Sequence, residues 1–445
     1  MIAHERAVKL GETWSLDKST LAFERAGKAL RVTVKPAPPA VAEAMAGKPA
    51  KEETTVLKDG AGLVTLDAFG GSYGVSVCLD SGGENVRVAS AFGLKIPMGG
   101  AAAFIVDSDL DGTLGSAGDG VVVPGSRTVG PMRSPRVEVW SARDALAVRK
   151  EPDGSWSVAT LPMPHPGDGD HSAAWRQLQW QRQACGALSV DYHPELEAGM
   201  RAHGDYLARN KVMGHGETEG KPGFSTEGRD AGNSCVLGYE KRSHVDGIRE
   251  QLTTLFHRTM CLAPDLSGSA MALEKGTFLT SVSKLVASPL KGKVLVYPPH
   301  GMTDVPCEFS IGGEMPMPVA GDPSPNHLGT PVGIFAMGLY RVESLPEKPA
   351  FKLVALDPST PLGTSARGNA SSVDGTLHYP GNVPAGGDRN YMGNVAFTPK
   401  SFLKPDTRYR ATISVLIPKT RGATAPGDFA TFAYEWEFRT GKRAR

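Results

Sequence analysis

The 445-residue sequence has no long hydrophobic run and no excess of charge of either sign. No apolar stretch approaches the roughly 20 residues that a membrane-spanning helix needs. The 48 basic residues are balanced by 47 acidic ones, which leaves a formal net charge of +1. A chain without a basic field has little to attract nucleic acid. We therefore expect neither a nucleic-acid partner nor a transmembrane segment.

The sequence also lacks a dense cysteine framework. Its five cysteines are far apart and include no Cys-x-x-Cys pair; they are Cys78, Cys185, Cys235, Cys261 and Cys307. Buried free thiols are expected, because an isolated cysteine packs as a small hydrophobic residue. Three of the five fall in one predicted domain, so a single disulfide there is the alternative.

Glycine (53 residues) and proline (34 residues) are abundant, which is typical of short strands joined by turns. Apolar and polar residues alternate over 29–35 and 71–79, so we predict a β-rich N-terminal domain over 1–161. The stretch 162–170 contains three prolines and two glycines, and we predict a linker over 162–174.

The hydrophobic period becomes helical in the next segment, 175–289. Helices and then strands are predicted there, at 175–183, 194–211, 244–260 and 270–285. A Pro/Gly-rich connector is predicted over 290–335 and a second β-rich domain over 336–441. The last of these ends in two predicted paired strands, 409–417 and 429–438.

Several motifs follow one another in fixed order in the central segment. They are Leu178-Gln-Trp-Gln-Arg182, Val212-Met-Gly-His215, Ile248 to Arg258 and Leu262-Ala-Pro-Asp265. In this order they resemble the CAP superfamily, which is named for cysteine-rich secretory proteins, antigen 5 and plant pathogenesis-related proteins. Val296-Tyr-Pro-Pro-His-Gly301 and Glu314-Met-Pro-Met-Pro318 are similar to the segment after the CAP domain in large multidomain bacterial members. The resemblance implies an α/β/α sandwich over 175–289.

The C-terminal segment resembles bacterial immunoglobulin-like domains. The residues that carry this likeness are Val395-Ala-Phe-Thr-Pro399, Leu403-Lys-Pro405 and Trp436-Glu-Phe-Arg-Thr440. The resemblance implies a multidomain protein that ends in an immunoglobulin-like β-sandwich, with a role in spacing, adhesion or stabilisation.

The CAP resemblance also implies a cleft lined by two histidines and two glutamates, which in many members can bind a divalent metal. By position, the two histidines are His215 and His257. Asn233 and Thr254 stand at or near the places where the family has its carboxylates. His203 is expected beside this cleft.

Glu217 could replace a lost carboxylate, because His215-x-Glu217 lies on one predicted loop. His215, Glu217 and His257 would then reach the three ligands that a zinc site needs. The alternative is that both histidines only make hydrogen bonds. A Cys235–His257 pair is a further possibility for nucleophilic catalysis, but nothing in the spacing favours it over a buried thiol.

An acidic loop in the N-terminal domain resembles the start of a calcium-binding loop. Asp107, Asp109 and Asp111 alternate before a glycine, and Asp119 follows later, although no glutamate stands at loop position twelve. We expect Ca²⁺ at these four carboxylates, or else turns in which they cap backbone amides.

The sequence thus favours a secreted or cell-envelope protein whose CAP-type cleft binds a small molecule, lipid or peptide. A metal-dependent hydrolase of peptide or cell-wall substrates is the second hypothesis, and a structural protein with a vestigial cleft is the third. Residues 1–14 contain no apolar stretch of the signal-peptide kind, so an exported form is expected to carry its leader outside this sequence. With both family carboxylates replaced, binding is favoured over catalysis.

Overall fold

The fold is taken from a computed structural model, which describes most of the chain. The described residues are 6–9, 13–16, 19–26, 29–36, 53–57, 61–68, 71–79, 85–90, 93–109, 111, 114, 116, 118–132, 136–153, 155–285, 294–308, 328–335, 344–356, 370–382, 394–419 and 423–442. They form a β-rich chain of several sheets, with its few α-helices in the middle.

The α-helices of the described residues lie between 169 and 261. They are α1 (Gly169–Ala184), α2 (Pro194–Asn210), α3 (Thr226–Gly232), α4 (His244–Thr253) and α5 (Leu255–Cys261), and a 3-10 turn lies at Pro426–Asp428. No helix in the described ranges is long and apolar enough to cross a membrane.

The strands flank the helices on both sides along the chain. They are β1 (Arg6–Lys9), β2 (Thr13–Leu16), β3 (Ser19–Ala26), β4 (Ala29–Pro36), β5 (Glu53–Leu57), β6 (Ala61–Ala68), β7 (Gly71–Leu79), β8 (Asn85–Ser90), β9 (Gly93–Met98), β10 (Ala101–Val106), β11 (Gly120–Val122), β12 (Gly130–Pro131), β13 (Arg136–Trp140), β14 (Ala145–Lys150), β15 (Trp156–Thr160), β16 (Asp191–Tyr192), β17 (Cys235–Gly238), β18 (Leu266–Ser269), β19 (Met271–Glu274), β20 (Thr277–Ser281), β21 (Lys284–Leu285), β22 (Leu295–Tyr297), β23 (Val332–Phe335), β24 (Ala350–Ala355), β25 (Ser371–Ser372), β26 (Gly375–His378), β27 (Asn394–Pro399), β28 (Arg408–Pro418) and β29 (Phe429–Arg439).

The N-terminal part is built from antiparallel sheets, as its alternating pattern predicts. The sheet orders are β1-β8-β7-β6, β2-β3-β4-β5, β12-β11-β10-β9 and β13-β14-β15. Alternate side chains of the last two sheets, among them Ile105, Val121 and Val148, form a buried core. These side chains point to one face because successive residues of a strand alternate between faces.

The central part combines the five helices with two three-stranded sheets, β16-β18-β21 and β17-β20-β19. Helix α1 packs on α4, and α2 packs on α3 and on β19 and β20. The predicted helix over 194–211 is confirmed as α2. It begins at Pro194, which suits a first turn, and it is followed by Lys211 in a left-handed conformation with φ 53°.

Two helix boundaries differ from the sequence prediction. Helix α1 begins at Gly169, inside the predicted linker, because the Asp168 carboxylate accepts hydrogen bonds from the amides of Asp170 and His171, both at 3.0 Å. Such an N-cap stabilises a helix start by about 1 kcal/mol. The single helix predicted over 244–260 is two helices, because Thr254 is extended with ψ 158° and its hydroxyl donates to the Gln251 carbonyl.

The C-terminal part contains two four-stranded sheets, β22-β23-β27-β26 and β25-β24-β28-β29. The predicted pairing of the last two strands is confirmed, since β28 and β29 pair from Arg408 with Arg439 to Pro418 with Phe429. Both ends of the predicted connector form strands of the first sheet, β22 and β23, which pair with each other. The motif at 314–318 lies outside the described residues.

Strand β22 joins two hydrophobic cores. Val294, just before the strand, and Val296 belong to the core of the C-terminal sheets. Leu295 and Tyr297 point the other way, into the core formed by the helices and by Trp140 of β13. The alternation of this short strand therefore ties the helical part to the C-terminal sheets.

Arg182 is the largest charged side chain in the helical core, and none of its surface is exposed. Its guanidinium donates to the carbonyl of Leu188 at 2.9 Å and to that of Cys261 at 2.7 Å. It also donates to the carbonyls of Ala263 and Leu266, each at 3.1 Å. One side chain of α1 thereby provides hydrogen-bond donors to backbone carbonyls after α1, at the end of α5 and at the start of β18.

Replacing Arg182 with methionine keeps the bulk of the side chain and removes the hydrogen bonds to these four carbonyls. Each buried carbonyl that loses its donor costs about 1–3 kcal/mol, so we expect R182M to lower the free energy of unfolding by at least about 3 kcal/mol. Urea unfolding followed by the helical circular dichroism signal measures this loss. The control is R209M, which removes a surface ion pair to Asp205 on α2 and should change stability by less than about 1 kcal/mol. Equal stability of the two variants would contradict this role.

Candidate functional site

The predicted cleft residues lie around the loop that joins α2 to α3. Tyr206 of α2 accepts a hydrogen bond from the Thr218 amide at 2.9 Å, and the Tyr239 hydroxyl accepts one from the Gly214 amide at 2.7 Å. Two aromatic hydroxyls thus fix the backbone of a loop that has no regular secondary structure of its own.

A buried histidine–glutamate pair closes the same loop. His203 Nδ1 lies 2.8 Å from Glu217 Oε1, and both side chains are fully buried. His203 Nε2 donates to the Gly214 carbonyl at 3.1 Å, and the second oxygen of Glu217 accepts from the Ser225 amide at 3.2 Å. Glu217 is therefore engaged in holding the loop.

Gly232, the last residue of α3, makes this arrangement possible. A Cβ at this position would lie 2.4 Å from the His215 carbonyl oxygen and 2.5 Å from His203 Cε1. Both distances are below any real carbon contact, so only glycine lets α3 approach the pair so closely.

His215 and His257 are near enough to each other for the charge of His215 to influence His257. His215 is exposed, and its Nδ1 lies 2.8 Å from the Gly232 carbonyl. Burial, and to a smaller extent the charge of His215, lower the pKa of His257 to about 4. His257 is consequently a neutral imidazole at physiological pH.

The two residues expected at the places of the family carboxylates, Asn233 and Thr254, have different surroundings. Asn233 is exposed and caps the end of α3, through its amide to the Arg229 carbonyl at 3.1 Å. Thr254 is fully buried, and its hydroxyl donates to the Gln251 carbonyl at 3.1 Å. The Asn233 residue is therefore open to solvent, whereas the Thr254 hydroxyl is used within the helix break.

Metal-ligating side chains come together at two places in the described part of the chain. In each group, three ligand atoms lie within 4.8 Å of one another, and neither group includes His215 or His257. One group lies in the acidic loop, and the other lies where the start of α1 meets the start of α2.

The acidic loop brings together three of its four predicted ligands, Asp107, Asp109 and Asp119. The Asp119 carboxylate accepts from the amides of Ser108 at 3.1 Å and Ser116 at 3.0 Å. Asp109 has one buried oxygen, Oδ1, that makes no hydrogen bond. Asp111 is exposed, and its amide donates to the Asp107 carboxylate at 3.1 Å.

The second group consists of His165, His171 and Glu197, and the sequence prediction missed it. The first two residues fell in the predicted linker, and Glu197 fell within the predicted helix over 194–211. Two histidines on either side of an Asp-Gly helix start, with a glutamate in the first turn of the next helix, were the signal available in the sequence.

The described cysteines are buried thiols without disulfides, as expected: Cys185, Cys235, Cys261 and Cys307. Burial raises the pKa of Cys185, Cys235 and Cys261 to about 12. Because the thiolate is the nucleophile, Cys235 is unsuited to a catalytic pair with His257. The Cys78 side chain lies outside the described residues.

No protein-family model and no curated protein matches this sequence. Among solved structures, the chain is similar to an extracellular protein containing an SCP domain from Bacillus anthracis, at 10% identity and a TM-score of 0.22, over 61% of this chain and 88% of that one. It is also similar to a cysteine-rich secretory protein from Staphylococcus aureus, at 8% identity and a TM-score of 0.19, over 61% of this chain and 87% of that one. Function is therefore inferred below from the residues and their geometry.

Proposed function

We propose that the chain is a secreted or cell-envelope protein whose central part is a CAP-type domain that binds a small molecule, lipid or peptide beside His215 and His257. The observation that carries this proposal is the engagement of Glu217 with His203 and the Ser225 amide. The carboxylate needed to complete a zinc centre with the two histidines is thus used to hold the loop in place.

Binding is favoured over hydrolysis by the chemistry that is left at this surface. A metal-dependent hydrolase needs a metal to activate water and a group to take its proton. Asn233 and Thr254 supply neither, and the Cys235 thiol is held protonated by burial. An exposed His215, a neutral His257 and the Asn233 amide can instead orient a polar ligand group by hydrogen bonds.

The C-terminal sheets are proposed to be an immunoglobulin-like module that supports the central part. Tyr409, at the start of β28, is 1% exposed, and its hydroxyl accepts from the Lys404 amide at 2.7 Å. A tyrosine that bonds back to the backbone a few residues upstream is a feature of such sandwiches. Trp436 and Phe438 on β29 fill the core beside it.

Lipid extraction from the purified chain tests the binding proposal directly. We expect organic extracts of the wild-type protein to contain a lipid or small molecule at near one equivalent by mass spectrometry. H257A should lose most of it, because the imidazole that orients the ligand is gone. The control is H378A, which removes a buried histidine from the C-terminal part. Empty wild-type protein together with zinc-dependent cleavage of a casein substrate would contradict binding and support the hydrolase.

We further propose that Ca²⁺ binds the acidic loop of the N-terminal part. Three carboxylates within 4.8 Å repel one another unless a cation or protons offset their charge, and Asp107 and Asp119 are almost fully buried. Hard oxygen ligands on a tight loop suit calcium. Gly118 permits the closure, since a Cβ there would lie 1.9 Å from Asp109 Oδ2.

Calorimetry and thermal melting test the calcium site. Ca²⁺ at 100 times its Kd should stabilise the N-terminal part by about 2.7 kcal/mol, and D109N should abolish both the heat of binding and the rise in Tm. D153N, which changes an exposed turn carboxylate outside the loop, should leave both intact. If wild-type protein shows no heat and no rise in Tm, the loop is held by its own hydrogen bonds alone.

A further inference from the structure

The start of α1 meets the start of α2 in a compact cluster of polar aromatic residues. His165 precedes α1, His171 lies in its first turn, and Glu197 lies in the first turn of α2. One ligand atom from each of these three residues falls within 4.8 Å of the others. This cluster does not include His215 or His257, and it shares no residue with the acidic loop.

His165 and Glu197 already face each other. His165 Nε2 lies 2.8 Å from Glu197 Oε2 and 2.9 Å from the Tyr192 hydroxyl, which also donates to that carboxylate. The His165 backbone is fixed as well, because its carbonyl accepts from the Ser172 hydroxyl at 2.8 Å.

The second oxygen of Glu197 is oriented from outside the cluster. Arg201, one turn further along α2, donates through Nε to Glu197 Oε1 at 2.8 Å. A carboxylate held at one oxygen by a guanidinium presents its other oxygen in a fixed direction. Outer contacts of this kind accompany ligands in protein metal sites.

His171 is the unexplained member of the cluster. It is 1% exposed, and neither of its ring nitrogens makes a hydrogen bond of normal geometry, although the Met271 backbone approaches the ring. A buried polar group left in this state costs about 1–3 kcal/mol. The ring instead stands edge-to-face against His165, at 4.3 Å between centroids, and against His244 at 4.8 Å.

His244 bounds the other side of the His171 ring. It is itself held through Nδ1 by the Asp170 carboxylate at 3.1 Å.

We propose that His165, His171 and Glu197 form a binding site for a divalent transition metal, with zinc as its best match. Two imidazoles and one carboxylate are a common zinc ligand set, and three protein ligands leave the fourth position of a tetrahedron open. Imidazole donors favour zinc over calcium or magnesium. The His165 side chain is 40% exposed, which gives the ion a path from solvent.

Zinc added to the full chain after chelator treatment and dialysis is the test. We expect one equivalent to be retained by wild-type protein. H165A and E197Q should each raise the Kd for Zn²⁺ by at least about 100-fold, since loss of an outer contact alone weakens metal sites about 10- to 100-fold. H165A removes a partly exposed side chain and keeps the buried His171, so the fold is retained in at least this variant.

Two control variants separate this site from other histidines. H193A removes a histidine next to α2 that pairs with Glu195 outside the cluster, and H257A removes the cleft histidine. Both should keep wild-type affinity for Zn²⁺. Cobalt substituted for zinc should give visible absorption bands of a four-coordinate ion, and H165A should lose them.

The proposal is overturned if wild-type protein retains no zinc or if H165A and E197Q bind it as tightly as wild type. Loss of zinc in H257A with retention in H165A would place the metal in the cleft and would equally overturn it. The lipid content of the protein is measured independently, so failure of this site and failure of the proposed cleft are distinguishable.

Discussion

A single buried guanidinium holds the centre of this protein together. Arg182 donates to the carbonyl of Leu188 after α1 and to the carbonyls of Ala263 and Leu266 after α5. Irregular backbone can stay buried only when its polar groups are satisfied. The turn after α1 and the turn after α5 are both buried near Arg182. The position of α1 therefore fixes where β16 and β18 begin.

The same helix also connects the centre to the N-terminal sheets. Gln183 exchanges hydrogen bonds with the backbone of β13, from the Trp140 amide at 3.0 Å and to the Glu138 carbonyl at 2.6 Å. The Trp180 indole donates to the Pro124 carbonyl at 2.8 Å. The first turn at the other end of the same helix carries His171 of the proposed zinc site.

The sequence predicted features that depend on local pattern. Alternation identified β28 and β29, and helical spacing together with Pro194 identified α2. The sequence prediction failed where a side-chain contact sets the boundary of an element, because such a contact is not visible in the hydrophobic periodicity. Asp168 starts α1 inside an apparent linker, and the buried Thr254 divides a helix that looks continuous.

The candidate sites show the same limit. The carboxylate group of the acidic loop was predictable because Asp107, Asp109 and Asp119 lie on one short loop of the sequence. The group of His165, His171 and Glu197 was not, because it depends on how two helix starts meet. Glu217 was placed near the cleft from its spacing to His215, but its engagement depends on His203, a buried residue of the preceding helix.

The central claim is that His203 and Glu217 hold a loop, while the histidines proposed to bind zinc lie elsewhere. Nitrogen NMR of ¹⁵N-histidine protein at pH 7 tests it directly, with and without Zn²⁺. The account predicts that His203 Nε2 is protonated, because it donates to the Gly214 carbonyl, and that zinc shifts the ring signals of His165 and His171 but not those of His203. An unprotonated His203 Nε2, or zinc-induced shifts at His215 and His257 alone, would contradict the account.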